Sequence, residues 1–351
     1  MDTLQELCDR LTAEAAPSLA IREDGRVRCL ACGHRCLLGE GARGACEVRF
    51  VAGGSLRVPR GYVAGLAVDP IEKKPFHHVL PGRTALSFGM LGCDLHCAYC
   101  QNWDTSQVLR DKEARALPRR VRARGLADRA LAAGAPVLVS TYNEPLITAE
   151  WSLEIFELAK ERGLLTGFVS NGNATPEVLD LLRPVTDLYK IDLKCFDDRK
   201  YRKLGCPLSN VLRGIEAVHE RGFWLEVVTL VVPGFNDGED ELRACARFLA
   251  GISKDIPWHL SAFHPDYRMT DRRRTEVETI ARARAIGLSE GLRFVYAGNL
   301  GGALEGAEDT SCPSCGGTLI RRRGYMVSVE GLEAGRCRAC GRRLPGIFAP
   351  R

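Results

Sequence analysis

Short apolar runs alternate with amphipathic helical stretches from about residue 74 to residue 300. This order is typical of a parallel α/β barrel or sheet, because parallel strands need a crossover that a helix usually supplies. The runs predict seven strands, at residues 85–91, 136–141, 167–170, 187–193, 224–232, 258–263 and 293–297. Helical spacing predicts helices at residues 149–162, 175–182, 210–221, 240–251 and 274–290. Six or seven such units favour a partial barrel of the (β/α)6 type over a closed eight-fold barrel.

Polar or glycine-rich segments follow six consecutive predicted strands. They are a cysteine loop at residues 93–100, Tyr142 to Pro145, Asn171 to Asn173, Asp192 with Lys194, residues 233–237 and residues 264–267. Each segment alone is explained by a turn, since Asn, Gly, Pro and Asp are turn formers. Active sites of parallel α/β folds gather at the carboxyl ends of the strands. The six segments together therefore predict a functional site at that edge.

Cys93, Cys97 and Cys100 form a C-x-x-x-C-x-x-C loop directly after the first predicted strand. Three thiolates can hold three irons of an iron–sulfur cluster, whereas a fourth cysteine would fill the last position. The remaining iron would be open to an exogenous ligand. Two alternatives are a zinc loop with His96 as its fourth ligand, and three unrelated thiols.

A second group, Cys29, Cys32, Cys36 and Cys46, stands among short glycine-containing loops near the amino terminus. Its density is typical of a small knuckle that folds around a metal. Structural zinc and a second cluster, either structural or electron-relaying, fit the spacing about equally. His34 is an additional candidate ligand.

A third group, Cys312, Cys315, Cys337 and Cys340, consists of two C-x-x-C pairs separated by 21 residues. Each pair is followed by glycine, which permits the tight turn of a zinc knuckle. The sequence therefore predicts a zinc ribbon, with a redox C-x-x-C as the alternative.

Composition limits the remaining function classes. The net charge is +5, from 49 basic and 44 acidic residues, which is too weak a field for a dedicated nucleic-acid binder. The first residues lack the basic start and apolar stretch of a secretory signal, and no run reaches membrane-spanning length. We therefore expect a cytoplasmic protein without membrane partners. Thiols stay reduced there, so the fifteen cysteines indicate metal sites rather than disulfides.

These segments resemble the radical S-adenosylmethionine (SAM) superfamily, in the subgroup related to pyruvate formate-lyase-activating enzymes. More narrowly, they resemble the radical enzymes of the AmmeMemoRadiSam system, whose genes accompany Memo-like and AMMECR-like proteins. The resemblance is carried by CLACGHRC with GARGACEVR, GCDLHCAYCQNW, STYNEP, YKIDLKCF, VVPGFND, HLSAFHPDY and CRACGRRLPGIF. It implies an α/β partial barrel at residues 74–305, with a four-cysteine module at residues 1–73 and a ribbon-like module at residues 306–351.

The resemblance also assigns roles to single residues. Cys93, Cys97 and Cys100 would ligate a [4Fe–4S] cluster whose open iron binds the methionine part of SAM. The residues expected to contact SAM are Tyr99 against the adenine, Asn143 and Glu144 at the methionyl ammonium, Lys194 with Asp192 at the carboxylate, and Asn171 at the ribose or carboxylate. The chain carries Tyr142 and Asn143 where the superfamily usually has two glycines before Glu-Pro.

The implied reaction is reductive cleavage of SAM to a 5′-deoxyadenosyl radical, which abstracts hydrogen from an unknown substrate. His264, Asp266, Tyr267 and Asn299 are candidate substrate contacts, because they follow the last strands, away from the cluster loop. An electron donor such as flavodoxin or ferredoxin is expected. One alternative is a glycyl-radical-enzyme activase, an oxidoreductase acting on a protein partner. A second is a zinc-binding scaffold with an inactive barrel.

Overall fold

The computed structural model describes residues 3–349; Met1, Asp2, Pro350 and Arg351, which belong to the expected terminal modules, lie outside the described residues. Residues 4–63 form one short α-helix, α1 (Leu4–Asp9), and seven short strands: β1 (Thr12–Glu14), β2 (Ala20–Glu23), β3 (Arg26–Cys29), β4 (Leu37–Leu38), β5 (Phe50–Ala52), β6 (Ser55–Pro59) and β7 (Tyr62–Val63). Two small antiparallel sheets result, in the orders β1-β6-β5 and β2-β3-β4.

The central part contains nine strands: β8 (Gly65–Pro70), β9 (Thr84–Gly89), β10 (Arg119–Arg120), β11 (Val137–Ser140), β12 (Leu165–Ser170), β13 (Leu188–Asp192), β14 (Trp224–Val231), β15 (Trp258–Ala262) and β16 (Val295–Gly298). Its helices are α2 (Trp103–Ser106), α3 (Ala123–Ala132), α4 (Ala149–Lys160), α5 (Pro176–Leu182), α6 (Asp198–Leu204), α7 (Leu208–Glu220), α8 (Glu239–Ile252) and α9 (Val277–Ser289). These elements alternate as the sequence predicted.

One sheet organises this part, in the order β16-β15-β14-β13-β12-β11-β9-β8. The strands from β9 to β16 in this sheet are all parallel, and β8 pairs antiparallel with β9. The α/β partial-barrel prediction is confirmed, and all seven predicted strands are present. The sequence did not predict β8, because GLAVDP shows neither strict alternation nor a long apolar run.

Residues 71–83 connect β8 to β9, and most of residues 71–80 lie inside the barrel, with Lys73 exposed. Ile71, Phe76 and Val79 are fully buried there, in one cluster with apolar residues of β9, β11, β12 and β13. Because the side chains of a strand alternate between its two faces, these strands line one side of the barrel with apolar groups. The interior is therefore a packed core on this side.

The carboxyl-terminal part contains five short strands: β17 (Thr310–Ser311), β18 (Thr318–Arg323), β19 (Met326–Val329), β20 (Leu332–Glu333) and β21 (Arg336–Cys337). It packs on the segment that fills the barrel. The Arg322 guanidinium donates a 2.6 Å hydrogen bond to the His77 carbonyl, and Val79 pairs with Ile347. Within residues 3–349, no helix is both long and apolar enough to cross a membrane.

Candidate functional site

One cavity at the carboxyl ends of β9, β11, β12 and β13 brings together eight of the nine residues predicted for the cluster and its ligand. It is lined by Cys93, Cys97, Cys100, Asn143, Glu144, Asn171, Asp192 and Lys194. Tyr99 is buried instead beside Phe235, with ring centroids 5.6 Å apart. The predicted roles of these residues toward a cluster or SAM stay predictions.

The three loop thiols have the surroundings that metal-bound thiolates need. The Leu95 amide donates to Cys93 Sγ at 3.3 Å, and Ser106 Oγ lies 3.2 Å from Cys100 Sγ. Burial raises the pKa of the Cys97 thiol to about 12, while the Lys194 ammonium acts in the opposite direction. Burial thus keeps the free thiols protonated, and the nearby cation and donors would stabilise them as thiolates.

Glu144 is a fully buried carboxyl at the end of β11. Its oxygens accept hydrogen bonds from the Asn171 amide at 2.7 Å and the Ser170 hydroxyl at 2.8 Å. Burial and the charge of Asp94 raise its pKa to about 8, against the effect of these donors. The ammonium group of a ligand would place a positive charge beside Glu144 and so stabilise its ionised carboxylate.

Tyr142 shows how the chain accommodates the departure from two glycines. Its φ is +72°, in the left-handed region where glycine is usually found. Its ring packs against Gly65 and Gly89, where an added Cβ would lie 2.9 Å or less from the tyrosine. The Tyr142 hydroxyl is 2.9 Å from Ser87 Oγ and 3.2 Å from Lys74 Nζ. These contacts stabilise the strained turn that carries Glu144.

Three charged residues of YKIDLK face the same side, since strand side chains alternate with a period of two. Asp192 lies between Lys190, which donates to one carboxylate oxygen, and Lys194, whose Nζ is 3.2 Å from the other. Burial alone would raise the pKa of Asp192, but the two ammonium groups lower it to about 2. Lys190 was not among the residues predicted from the sequence, although the same alternation indicated it.

Asp94 is a second residue of the site that was not predicted from the sequence. Its carboxylate is almost fully buried and accepts 2.7 Å hydrogen bonds from Asn171 Nδ2 and Asn173 Nδ2. His34 Nε2 lies 3.1 Å from its backbone carbonyl oxygen. Asp94 therefore joins the cysteine loop, the end of β12 and the amino-terminal knuckle. The side-chain amide of Asn171 is thus hydrogen-bonded to Asp94.

The amino-terminal cysteines lie close together but are less compact than a single-ion site. Cys29, Cys32 and Cys46 are buried and Cys36 is half-buried, and their charges interact with one another. Burial raises the pKa of Cys46 to about 12. Among residues 3–349, only the carboxyl-terminal group has ligand atoms within 4.8 Å of one another.

Arg49 supplies a buried positive charge beside this group. It is 1% exposed and donates to both oxygens of Glu150, at 2.8 and 2.6 Å. Burial alone would lower the pKa of the Arg49 guanidinium, but the negative charges of Cys29 and Glu150 raise it above its ordinary value. Such a cation favours thiolates, as a metal centre requires.

The carboxyl-terminal cysteines have the arrangement of a tetrahedral metal site. The sulfur atoms of Cys312, Cys315, Cys337 and Cys340 all lie within 4.8 Å of one another. Cys312 Sγ is 3.6 Å from Cys340 Sγ, and Cys315 Sγ is 3.7 Å from Cys337 Sγ. Tetrahedral sulfurs around zinc lie roughly 3.8 Å apart, given Zn–S bonds of about 2.3 Å. These thiols can therefore hold one metal ion.

Replacing Cys337 with serine is expected to lower the zinc content by about one ion per chain, because a structural site needs four ligands. Metal analysis of the purified protein measures the change. Cys245→Ala is the matched control, since Cys245 is a similarly buried thiol on α8. Equal zinc content in the three proteins would contradict the ribbon assignment.

The part of the chain that forms the cavity is similar to known proteins. A family model described as the radical SAM superfamily matches residues 89–248. An uncharacterized protein of Methanocaldococcus jannaschii is 36% identical over 327 residues, covering 92% of this chain and 96% of the relative. The pyruvate formate-lyase-activating enzyme of Clostridium pasteurianum is 30% identical over 192 residues, covering 52% of this chain and 76% of the relative.

Among solved structures, a radical SAM methyltransferase from Sphaerobacter thermophilus shares the fold, with a TM-score of 0.50 and 20% identity. The alignment covers 68% of this chain and 71% of the methyltransferase. The matched family region includes every lining residue of the cavity named above, and it excludes both flanking cysteine groups.

Proposed function

The chain belongs to the radical SAM superfamily, as an enzyme related to pyruvate formate-lyase-activating enzymes, and we propose that it cleaves SAM reductively to act on a substrate by hydrogen abstraction. The observation that carries this proposal is the single cavity that joins the three loop cysteines to Glu144 and Lys194. We assign Cys93, Cys97 and Cys100 as the ligands of a [4Fe–4S] cluster. When bound, the reduced cluster supplies the electron that breaks the sulfonium C–S bond of SAM.

The remaining residues of the cavity fit the zwitterionic end of SAM. Glu144 offers a carboxylate to the methionyl ammonium, and the Lys194 ammonium offers a partner to the methionyl carboxylate. Asp192 orients Lys194, whose Nζ lies 3.2 Å away. Asn236 donates a 2.6 Å hydrogen bond to the Lys194 carbonyl and fixes the backbone at this point. We assign Asn143, Asn171 and Tyr99 supporting roles around the ligand.

The flanking cysteine groups receive different assignments. The compact carboxyl-terminal group suits zinc, as its sulfur–sulfur distances of 3.6 and 3.7 Å indicate. The wider amino-terminal group with Arg49 suits a second iron–sulfur cluster better than one zinc ion. His34 of this group has its Nε2 3.1 Å from the backbone carbonyl oxygen of Asp94, which lies in the loop of the first cluster. An electron relay is therefore the role that we propose for the amino-terminal group.

A glycyl-radical-enzyme activase is the second candidate function. It is supported by the 30% identity to a pyruvate formate-lyase-activating enzyme. That similarity covers only 52% of this chain, whereas the Methanocaldococcus relative covers 92%. The two flanking modules therefore favour a substrate other than a glycyl radical enzyme. We further propose a cytoplasmic reaction with flavodoxin or ferredoxin as electron donor, and Memo-like and AMMECR-like proteins as companions.

The proposal is tested by reconstituting the protein anaerobically with iron and sulfide, reducing it with dithionite and adding SAM. We expect a brown protein that forms 5′-deoxyadenosine, detected by chromatography. A colourless protein that contains zinc alone and forms no deoxyadenosine would overturn the proposal in favour of a scaffold with an inactive barrel.

A further inference from the structure

Lys190 is a buried lysine in the middle of β13, next to the proposed SAM site. Its side chain is 6% exposed and faces the barrel interior together with Leu188 and Asp192, because the side chains of a strand alternate between its two faces. Leu188 belongs to the apolar cluster inside the barrel, whereas Asp192 lines the cavity of the cysteine loop. Lys190 therefore lies between the packed core and that cavity, where lysine is found only when it is paired.

Two carboxylates neighbour Lys190 on the interior face of the sheet. Glu226 stands beside it in register on β14, but the Glu226 carboxylate already accepts four hydrogen bonds, from two backbone amides and two ring nitrogens. The Lys190 ammonium donates instead to Asp192, and in the described part of the chain this is the one side-chain hydrogen bond that it makes. Asp192 is therefore the partner that accounts for the burial of Lys190.

Lys190, Asp192 and Lys194 form a charged triad. One carboxylate oxygen of Asp192 accepts from Lys190, and the other lies 3.2 Å from Lys194 Nζ. Burial alone would raise the pKa of Asp192, but the two ammonium groups lower it to about 2, so this carboxylate is ionised at neutral pH. Burial lowers the pKa of Lys190, against the raising effect of the Asp192 carboxylate. Two cations and one anion leave the triad with one net positive charge.

The net charge of the triad matters for a ligand that carries a carboxylate. Without Lys190, Asp192 alone would balance Lys194, and the group would be neutral. A carboxylate that approaches Lys194 would then face a second carboxylate whose charge no other cation offsets, and like charges at close range repel each other. With Lys190 in place, the positive charge in excess matches the single negative charge of the methionyl carboxylate.

We propose that Lys190 is a positioning residue for SAM, because by neutralising Asp192 it leaves the charge of Lys194 free for the methionyl carboxylate. The inference rests on the proposed function, since it extends the SAM site of that function by one residue. Lys190 does not line the cavity, so it acts through Asp192. Its contribution is therefore to the binding of SAM and not to the chemical step.

The test measures the affinity for SAM by equilibrium dialysis of the full chain, reconstituted anaerobically with iron and sulfide and left unreduced. Lys190→Met removes the charge and keeps a side chain of similar length. Lys190→Gln also removes the charge but keeps a hydrogen-bond donor, so it makes the same comparison if methionine prevents folding. Lys190→Arg keeps the charge, because arginine stays protonated in proteins.

Two further variants separate the charge of Lys190 from a purely structural role. The double variant Lys190→Met with Asp192→Asn removes one charge of each sign, so Lys194 again supplies one net positive charge. Lys160→Met is the matched control, because it breaks the 2.7 Å ion pair between Lys160 and the buried Asp187, directly before β13 and outside the cavity. Iron content and thermal melting of the same samples show that each variant folds and holds its cluster.

We expect Lys190→Met to weaken SAM binding at least about ten-fold, about 1.4 kcal/mol, and the arginine, double and control variants to stay within about three-fold of wild type. In assays of deoxyadenosine formation, Lys190→Met should raise KM for SAM and leave kcat unchanged, as a loss of uniform binding does.

Two results would overturn the inference while the proposed function stands. One is wild-type affinity for SAM in Lys190→Met and Lys190→Gln. The other is a weakened affinity that the double variant does not restore, since a purely structural role for Lys190 predicts no recovery when Asp192 also loses its charge. A wild-type protein that binds no SAM would instead overturn the proposed function itself, and the inference with it, so the two failures are distinguishable.

Discussion

Cys97→Ala is expected to abolish deoxyadenosine formation while the protein still folds. Cys97 is the middle ligand of the proposed cluster and is 6% exposed in the cavity wall. Without the Cys97 thiolate, only two of the three cysteine ligands remain, too few to retain the cluster. Removing one buried sulfur costs the fold only about 1 kcal/mol. Activity and iron content should therefore fall together, without a large change in thermal stability.

The measurement is deoxyadenosine formed per chain after anaerobic reconstitution, with iron content and thermal melting of the same samples. Cys245→Ala is the control, because it removes a buried thiol from α8, outside the cavity. We expect it to keep wild-type iron and activity. Deoxyadenosine formation by Cys97→Ala at the wild-type rate would rule out the cluster assignment.

Much of this site could be predicted because its residues stand next to strand ends. Seven apolar runs gave the strands, and the parallel order of those strands brings Cys93, Glu144 and Lys194 to one edge. The spacing of Cys312, Cys315, Cys337 and Cys340 likewise predicted a group that the structure gathers within 4.8 Å. In both cases the local sequence pattern was sufficient to predict which residues the fold brings together.

Residues whose roles depend on packing between distant segments could not be predicted in the same way. Asp94 is buried because Asn171, Asn173 and His34 converge on it from other segments. Tyr142 holds a left-handed φ because its ring packs against Gly65 and Gly89. No period or motif in the sequence encodes these contacts.

The interior of the barrel shows the same limit. The apolar residues of 71–80 do not recur with the period of a strand or a helix. The burial of this segment inside the barrel was therefore not predicted. Their position places the backbone amides of His77 and His78 within 3.0 Å of the Glu226 carboxylate. A polar residue in the middle of β14 is thus explained by a loop that lies 148 residues away along the chain.

Glu226→Leu is expected to produce a large loss of stability. The Glu226 carboxylate is fully buried and accepts four hydrogen bonds, from the amides of His77 and His78, from Trp224 Nε1 and from His259 Nε2. Leucine would leave these four donors without an acceptor; Trp224 is half-buried, and each of the other three, which are buried, costs about 1–3 kcal/mol. We expect the free energy of unfolding to fall by about 4 kcal/mol or more.

Thermal melting at neutral pH measures this loss. With an unfolding entropy of about 2.1 cal/mol/K per residue, a loss of about 4 kcal/mol lowers the melting temperature of this chain by roughly 5 °C. Glu157→Leu, on the exposed face of α4, is the control and should change stability by less than about 0.5 kcal/mol.

The pH dependence of the Glu226→Leu effect identifies its cause. Burial alone would raise the pKa of Glu226, but the hydrogen bond and charge of His259 lower it below the ordinary value. A glutamate carboxyl whose folded pKa is depressed contributes stability above its unfolded pKa of about 4.3 and loses it as pH falls through the folded value. The difference between wild type and Glu226→Leu should therefore be full at neutral pH and shrink in acid. A difference that is independent of pH would show that lost side-chain packing, rather than the buried carboxylate, accounts for the effect.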